Sequence, residues 1–242
     1  MKKLLLSILA IFLVIGLVGA GTFAWFQDTE TSTGNTFTAG TMDLKIRDFA
    51  DGEDWGDGVT QTWTLPNMKP GVSETATQIV QLRNDGSIAA DHLEISCSYT
   101  VNDLPDVESD TDKNTSNHPS QFARYMEITY MKYVNDLWYF NLLTGEKYTR
   151  TATDQPWVLA ATDNKWKVED KAGVDEEENA IPADGIITLY DLNQDPLDDL
   201  TPPNGDTQFE MRLKLHSSAD NGIQGDTLNL TMIFTLNQDS SQ

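Results

Sequence analysis

Three stretches of the chain alternate apolar and polar residues with a period of two. In "TQFEMRLKLHS" the apolar set is Phe209, Met211, Leu213 and Leu215; in "DTLNLTMIFTLNQ" it is Leu228, Leu230, Met232, Phe234 and Leu236; in "HLEISCSYT" it is Leu93, Ile95, Cys97 and Tyr99. Successive side chains of a strand point to opposite faces, so each stretch predicts a strand with one buried face. "VTQTWTL" follows the same rule, with Val59, Gln61, Trp63 and Leu65 on one side. Turn signals such as "PNMKPG" and "NDG" separate these segments. There is no heptad pattern, internal repeat or long amphipathic helix. Short strands at short intervals predict a mainly β chain folded as an antiparallel β-sandwich.

The middle reads less clearly. Residues 102–121 are polar and acidic, as a surface excursion would be. "FARYMEITYMKYV" resumes strand alternation, and "DLWYFNLLTGEKY" fits a hairpin around "TGE" or a short helix. "GIITLYDLNQDPLDDL" reads as one strand followed by an acidic loop. The expected architecture is one sandwich domain over residues 41–242, with an irregular, partly helical insertion at about 102–205.

Hydrophobic residues make up 39% of the 242, enough for a core of this kind. The single cysteine, Cys97, excludes an intramolecular disulfide and falls on an inward strand position, where a buried inert thiol is expected. A formal charge of -22 argues against a nucleic-acid partner, because a phosphate backbone would be repelled.

The N-terminus carries the marks of an export signal. Lys2 and Lys3 precede the uncharged run "LLLSILAIFLVIGLVGAG", and Thr22 and Ala24 supply small residues at a cleavage site. Residues 1–24 are read as a signal peptide cut between Ala24 and Trp25, so that the leader is the chain's one membrane contact. A retained transmembrane helix is the alternative, because the apolar stretch to Phe26 is long enough to span a bilayer.

Protease chemistry of the zinc type usually presents two histidines one helical turn apart around a glutamate. This chain has His92, His118 and His216, far apart in sequence, with none at ligand spacing from another; His92 and His216 are expected at the rims of strands. Triad and phosphate-loop motifs are missing as well. Oxygen-rich loops are better represented. "DLNQDPLDD" offers Asp191, Asn193, Asp195, Asp198 and Asp199 as a candidate calcium loop. Pro196 stands where an EF-hand has its turn glycine, so any such site is irregular. A second acidic loop clusters Asp48, Asp51, Glu53, Asp54 and Asp57. No other cofactor is expected. Two glycosylation sequons begin at Asn114 and Asn229.

The segment "GTFAWFQDTETSTGNTFTAGTMDL" closely resembles the leader junction of the TasA, CalY and camelysin family. The similar positions are Gly21, Thr22, Phe23 and Ala24, then Phe26 and Asp28, then Thr38, Gly40, Thr41, Met42, Asp43 and Leu44. "NMKPG", "LRNDGSIAADHLEIS" and "ADNGIQGDTLNLTMIFTLNQ" resemble further family segments. The resemblance implies a jelly-roll-like sandwich, exported with a SipW-type signal peptidase to the cell surface. It implies a subunit of a biofilm matrix fibre or bundling pilus, a homopolymer joined by donor-strand complementation. Residues 25–40 would then be the donor arm, with Trp25, Phe26 and Phe37 as aromatic anchors. Camelysin-type members are also described as metalloproteases, which keeps an enzyme reading open. A monomeric adhesion or binding sandwich is the third reading.

Overall fold

Thirteen strands carry the described part of the chain, and the period-two pattern accounts for the long ones. The structure, a computed structural model, describes residues 27–31 (backbone only), 41–49, 54–59, 68–71, 77–102, 118–219, 223 and 225–238. The smaller sheet orders its strands β1 (Gln27–Thr31), β13 (Thr227–Asn237), β4 (His92–Asn102) and β11 (Leu197–Leu200). The larger sheet has seven: β2 (Leu44–Asp48), β3 (Gln78–Asn84), β12 (Thr207–Leu215), β5 (Met126–Val134), β6 (Trp138–Asn141), β7 (Glu146–Thr149) and β8 (Val158–Thr162). A two-strand ribbon, β9 (Gly173–Val174) with β10 (Ala180–Ile181), lies outside both. Every pairing is antiparallel.

The alternating sets meet between the sheets, as a sandwich requires. Phe209, Met211, Leu213 and Leu215 of β12 are buried, and so are Leu93, Ile95 and Cys97 of β4 and Met232, Phe234 and Leu236 of β13. The rings of Phe209 and Phe234 meet edge to face across the layers, 5.3 Å apart. Trp55 packs on two guanidinium groups, those of Arg47 and Arg83, at 4.5 and 4.2 Å. That places Trp55 against β2 and β3 of the larger sheet.

Residues 118–205 supply strands of the sandwich itself. β5 pairs with β12 along its length and sits inside the larger sheet. "DLWYFNLLTGEKY" forms the β6–β7 hairpin; Gly145, at φ +73°, turns it, and a Cβ there would meet the Asp163 carbonyl oxygen at 2.3 Å. Two helices stand where a strand and a loop are expected. Helix α1 (Pro119–Tyr125) takes the "FARY" half of an expected strand, with Pro119 in its first turn. Helix α2 (Leu189–Gln194) takes "LYDLNQ", opened by a capping box between Thr188 and Asp191. Both helices contact β4 and β5 and so bridge the two sheets. Among the described residues no helix is long and apolar enough to cross a membrane.

Candidate functional site

The smaller sheet ends in a strand supplied from the chain's start. β1 runs antiparallel to β13, with Gln27 opposite Asn237 and Thr31 opposite Ile233. The seat is well built: Phe234, Thr235, Leu236 and Asn237 of β13 are all buried. Residues 32–40, between β1 and the start of the larger sheet, lie outside the described residues, as do Ala24, Trp25, Phe26 and Phe37. The expected cleavage site and aromatic anchors are therefore not placed.

A group of titratable side chains lies beside this seat, at the same end of the sheet. His92 opens β4, directly opposite Asn237, which in turn faces Gln27 of β1. Glu94, two residues on, shares the outward face with His92, while Leu93 and Ile95 enter the core. Asp198 arrives from β11. The register between β11 and β4 is irregular, with Leu197 opposite Ile95 and Leu200 opposite Leu93. Asp199 absorbs the extra residue in a left-handed conformation at φ +58°, which aspartate tolerates better than most. The Trp166 indole N–H fixes the bulge by donating to the Asp199 carbonyl at 3.0 Å.

His92 is buried, only 2% exposed. Its Nε2 lies 3.2 Å from Asp198 Oδ1, 3.5 Å from Glu94 Oε1 and 3.3 Å from Asn237 Nδ2. The donor atoms of His92, Glu94 and Asp198 all fall within 4.8 Å of one another. The Asp199 amide donates to Asp198 Oδ1 at 2.6 Å and orients that carboxylate. On the other side of the ring, Nδ1 has no hydrogen-bond partner; the nearest carboxylate, Asp91 Oδ2, is 3.8 Å away. One imidazole nitrogen and two carboxylate oxygens are the donor types that divalent transition metals take. Four donors about 2.1 Å from a tetrahedral ion stand about 3.4 Å apart, so the measured 3.2 and 3.5 Å fit that group.

The expectation of a rim histidine without ligand neighbours is thus corrected for His92. Two of its neighbours come from distant strands, and the third, Glu94, is adjacent only in the two-residue rhythm of a strand. The helical spacing of zinc proteases does not reveal such a site. His118 and His216 do not join it: His118 Nε2 is 3.5 Å from Glu177, and His216 Nδ1 shares a hydrogen bond with Ser218.

The candidate calcium loop is dispersed by α2. Residues two apart on a helix differ by about 200° in direction, so Asn193 points away from Asp191, and Asp195 stands past the helix end as its C-cap. Asp191 caps the helix at Thr188, and its burial pushes its carboxyl up. Asn193 donates to the Cys97 carbonyl at 2.8 Å, and Asp195 pairs with Lys171 at 2.7 Å. Asp198 alone turns to the histidine. In the other acidic loop Asp48 is buried, Asp54 is exposed, Asp57 pairs with Lys45, and Asp51 and Glu53 lie outside the described residues. Asn229 is exposed on β13, as its outward parity requires; Asn114 lies outside the described residues. Cys97 is a buried free thiol, pushed up to about 12 by that burial.

The camelysin metallo-endopeptidase family matches the chain over residues 1–242. A protein named major biofilm matrix component, from Bacillus subtilis (strain 168), is 30% identical over 128 residues. That match covers 53% of this chain and 41% of the relative, so it spans less than half of the relative's length. With the family matched from end to end, the chain belongs to the camelysin metallo-endopeptidase family, as its leader junction led one to expect.

Proposed function

We propose that this chain is a secreted structural subunit of an extracellular matrix fibre, joined to further copies of itself through its N-terminal strand. One observation carries the reading: β1, at the start of the chain, completes the β13 edge of the smaller sheet over five residue pairs. A strand that fills this edge in its own chain can fill the same edge of a neighbour with the same main-chain bonds. Cleavage after Ala24 by a SipW-type peptidase would free the strand from the membrane and permit the exchange. Trp25, Phe26 and Phe37 would anchor it. The biofilm matrix relative supports a matrix role and an extracellular place.

The test is electron microscopy of the purified mature protein beside a form lacking residues 25–39. The mature protein, beginning at Trp25 or Phe26 by N-terminal sequencing, should form fibres. The shortened protein should stay soluble and unassembled, melt lower, and regain stability with a synthetic peptide of the missing residues. A shortened protein that builds ordinary fibres sinks the proposal.

The family's description favours a second reading, a metallo-endopeptidase, with His92, Glu94 and Asp198 as its metal-holding group. Chelator-sensitive cleavage of casein that disappears in Asp198→Asn would establish that reading in place of the first.

A further inference from the structure

We infer that His92, Glu94 and Asp198 bind one divalent transition-metal ion of the zinc class, and that this ion clamps β4 to β11 beside the seat of β1. The inference does not depend on fibre formation. It starts from a conflict in the hydrogen bonding of a buried ring. If Nε2 carries the proton, the Asn237 amide can accept it through its oxygen at 3.3 Å, and the buried Nδ1 lone pair is left without a donor. If Nδ1 carries it, that N–H is buried without an acceptor, and the Nε2 lone pair faces two carboxylates. In either tautomer the buried Nδ1 lacks a partner, which is costly, so the arrangement calls for something further.

A cation on Nε2 answers the crowding of that lone pair by two carboxylates. The lone pair gains an acceptor of electrons, and the two carboxylate oxygens face positive charge. The Asn237 amide can turn its oxygen inward as a fourth donor, since its two ends differ only by a rotation. Nδ1 then carries the proton and points toward Asp91, the carboxylate partner that metal-bound histidines usually have on their second nitrogen. Rotation of the exposed Asp91 side chain would close the remaining 3.8 Å.

The donor set also selects the ion. An imidazole nitrogen suits zinc and its first-row neighbours, whereas calcium and magnesium take oxygen ligands and more of them. The position gives the ion a mechanical role. It joins two residues of β4 to one of β11, with Asn237 of β13 against it, at the end where Gln27 pairs.

The experiment uses the mature protein stripped with chelator and titrated with Zn²⁺ in a calorimeter, with Co²⁺ absorption as a reporter of geometry. One ion should bind per chain, with tetrahedral cobalt bands, and Zn²⁺ should raise the melting temperature. His92→Gln and Asp198→Asn should each weaken binding roughly 10- to 100-fold or more and abolish the thermal shift. His216→Gln, far from the site, should change neither. Asp198 is only partly buried, so its isosteric variant keeps the test sound even if His92→Gln fails to fold. No saturable binding, binding unchanged in Asp198→Asn, loss of binding in His216→Gln, or equal affinity for Ca²⁺ would each overturn the assignment. A fibre test that fails while zinc still binds would sink only the fibre reading.

Discussion

β1 and β8 are both five-residue strands at the edge of a sheet, and hydropathy alone would rank them the wrong way round. β1 reads "QDTET" and lies along one of the most buried stretches of the smaller sheet. β8 reads "VLAAT" and is exposed at every position, with Val158 61% and Leu159 51% exposed. An edge strand is held by main-chain bonds, so a polar sequence can seal an edge whose floor its partner supplies. An apolar strand left open is a hazard, because its free edge can template another strand. β8 is blunted by local geometry. Lys147 faces Ala161 and Tyr148 faces Leu159, so Ala160 is an unmatched bulge, and Pro156 breaks the approach to the strand.

The sharpest way to break this contrast is to cut side chains on the two edges. Phe234 sits on β13, opposite Glu30 of β1, and packs on Phe209 of the other sheet. Phe234→Ala should cost about 3–5 kcal/mol in urea unfolding. Leu159→Ala on β8 should stay within about 0.5 kcal/mol. Comparable losses at both sites would mean that β8 is covered in solution.

Proline tests the backbone rather than the side chain. N–H groups alternate sides along a strand, so one of Asp28 and Thr29 donates toward β13 and its neighbour does not. Proline at the donating position should cost about 1–3 kcal/mol and slow any assembly, while the other is tolerated. Ala160→Pro, at the bulge of β8, should change stability by no more than about 0.5 kcal/mol. If neither β1 variant has an effect, the β1–β13 pairing is not what holds this edge.

The smallest effect is chemical. Burial raises the Cys97 thiol to about 12, whereas a cysteine introduced as Leu159→Cys would keep ordinary reactivity. At pH 8 a thiol reagent should label position 159 at once and Cys97 only on unfolding. The folded thiol lies above the unfolded value near 8.5, so its contribution is complete below that pH. It is lost as pH rises toward about 12. The alkaline slope of stability should therefore be shallower in Cys97→Ala, measured as the pH dependence of the urea midpoint. Tyr130, also raised to about 12 by burial, steepens both proteins alike and drops out of the difference.

Much of the fold was legible because it is written locally. Phe209 to Leu215 and Leu93 to Cys97 declared their inward faces by parity alone, and all of them are buried. "TGE" admitted a hairpin, which Gly145 forms. "YDLNQ" misled, because acidic residues two apart look like a ligand loop until Thr188 and Asp191 start a helix there. His92 misled for the opposite reason. Its place flanking a strand suggests a surface or rim histidine, yet Asp198 and Asn237 close over it.

By itself the amino-acid sequence determined which side chains face inward along each strand, that one thiol would be buried, and that the leader junction would mark the family. Those properties follow from a two-residue rhythm and a contiguous motif, which need no knowledge of neighbours. The tertiary structure decided that β1 lies on β13, that β8 stays open, and that a histidine, two carboxylates and an amide converge at one end of the smaller sheet. Such convergence depends on the registers of strands far apart in the chain. A shift of one residue at the Asp199 bulge would turn Asp198 away, and nothing local to either segment specifies that register.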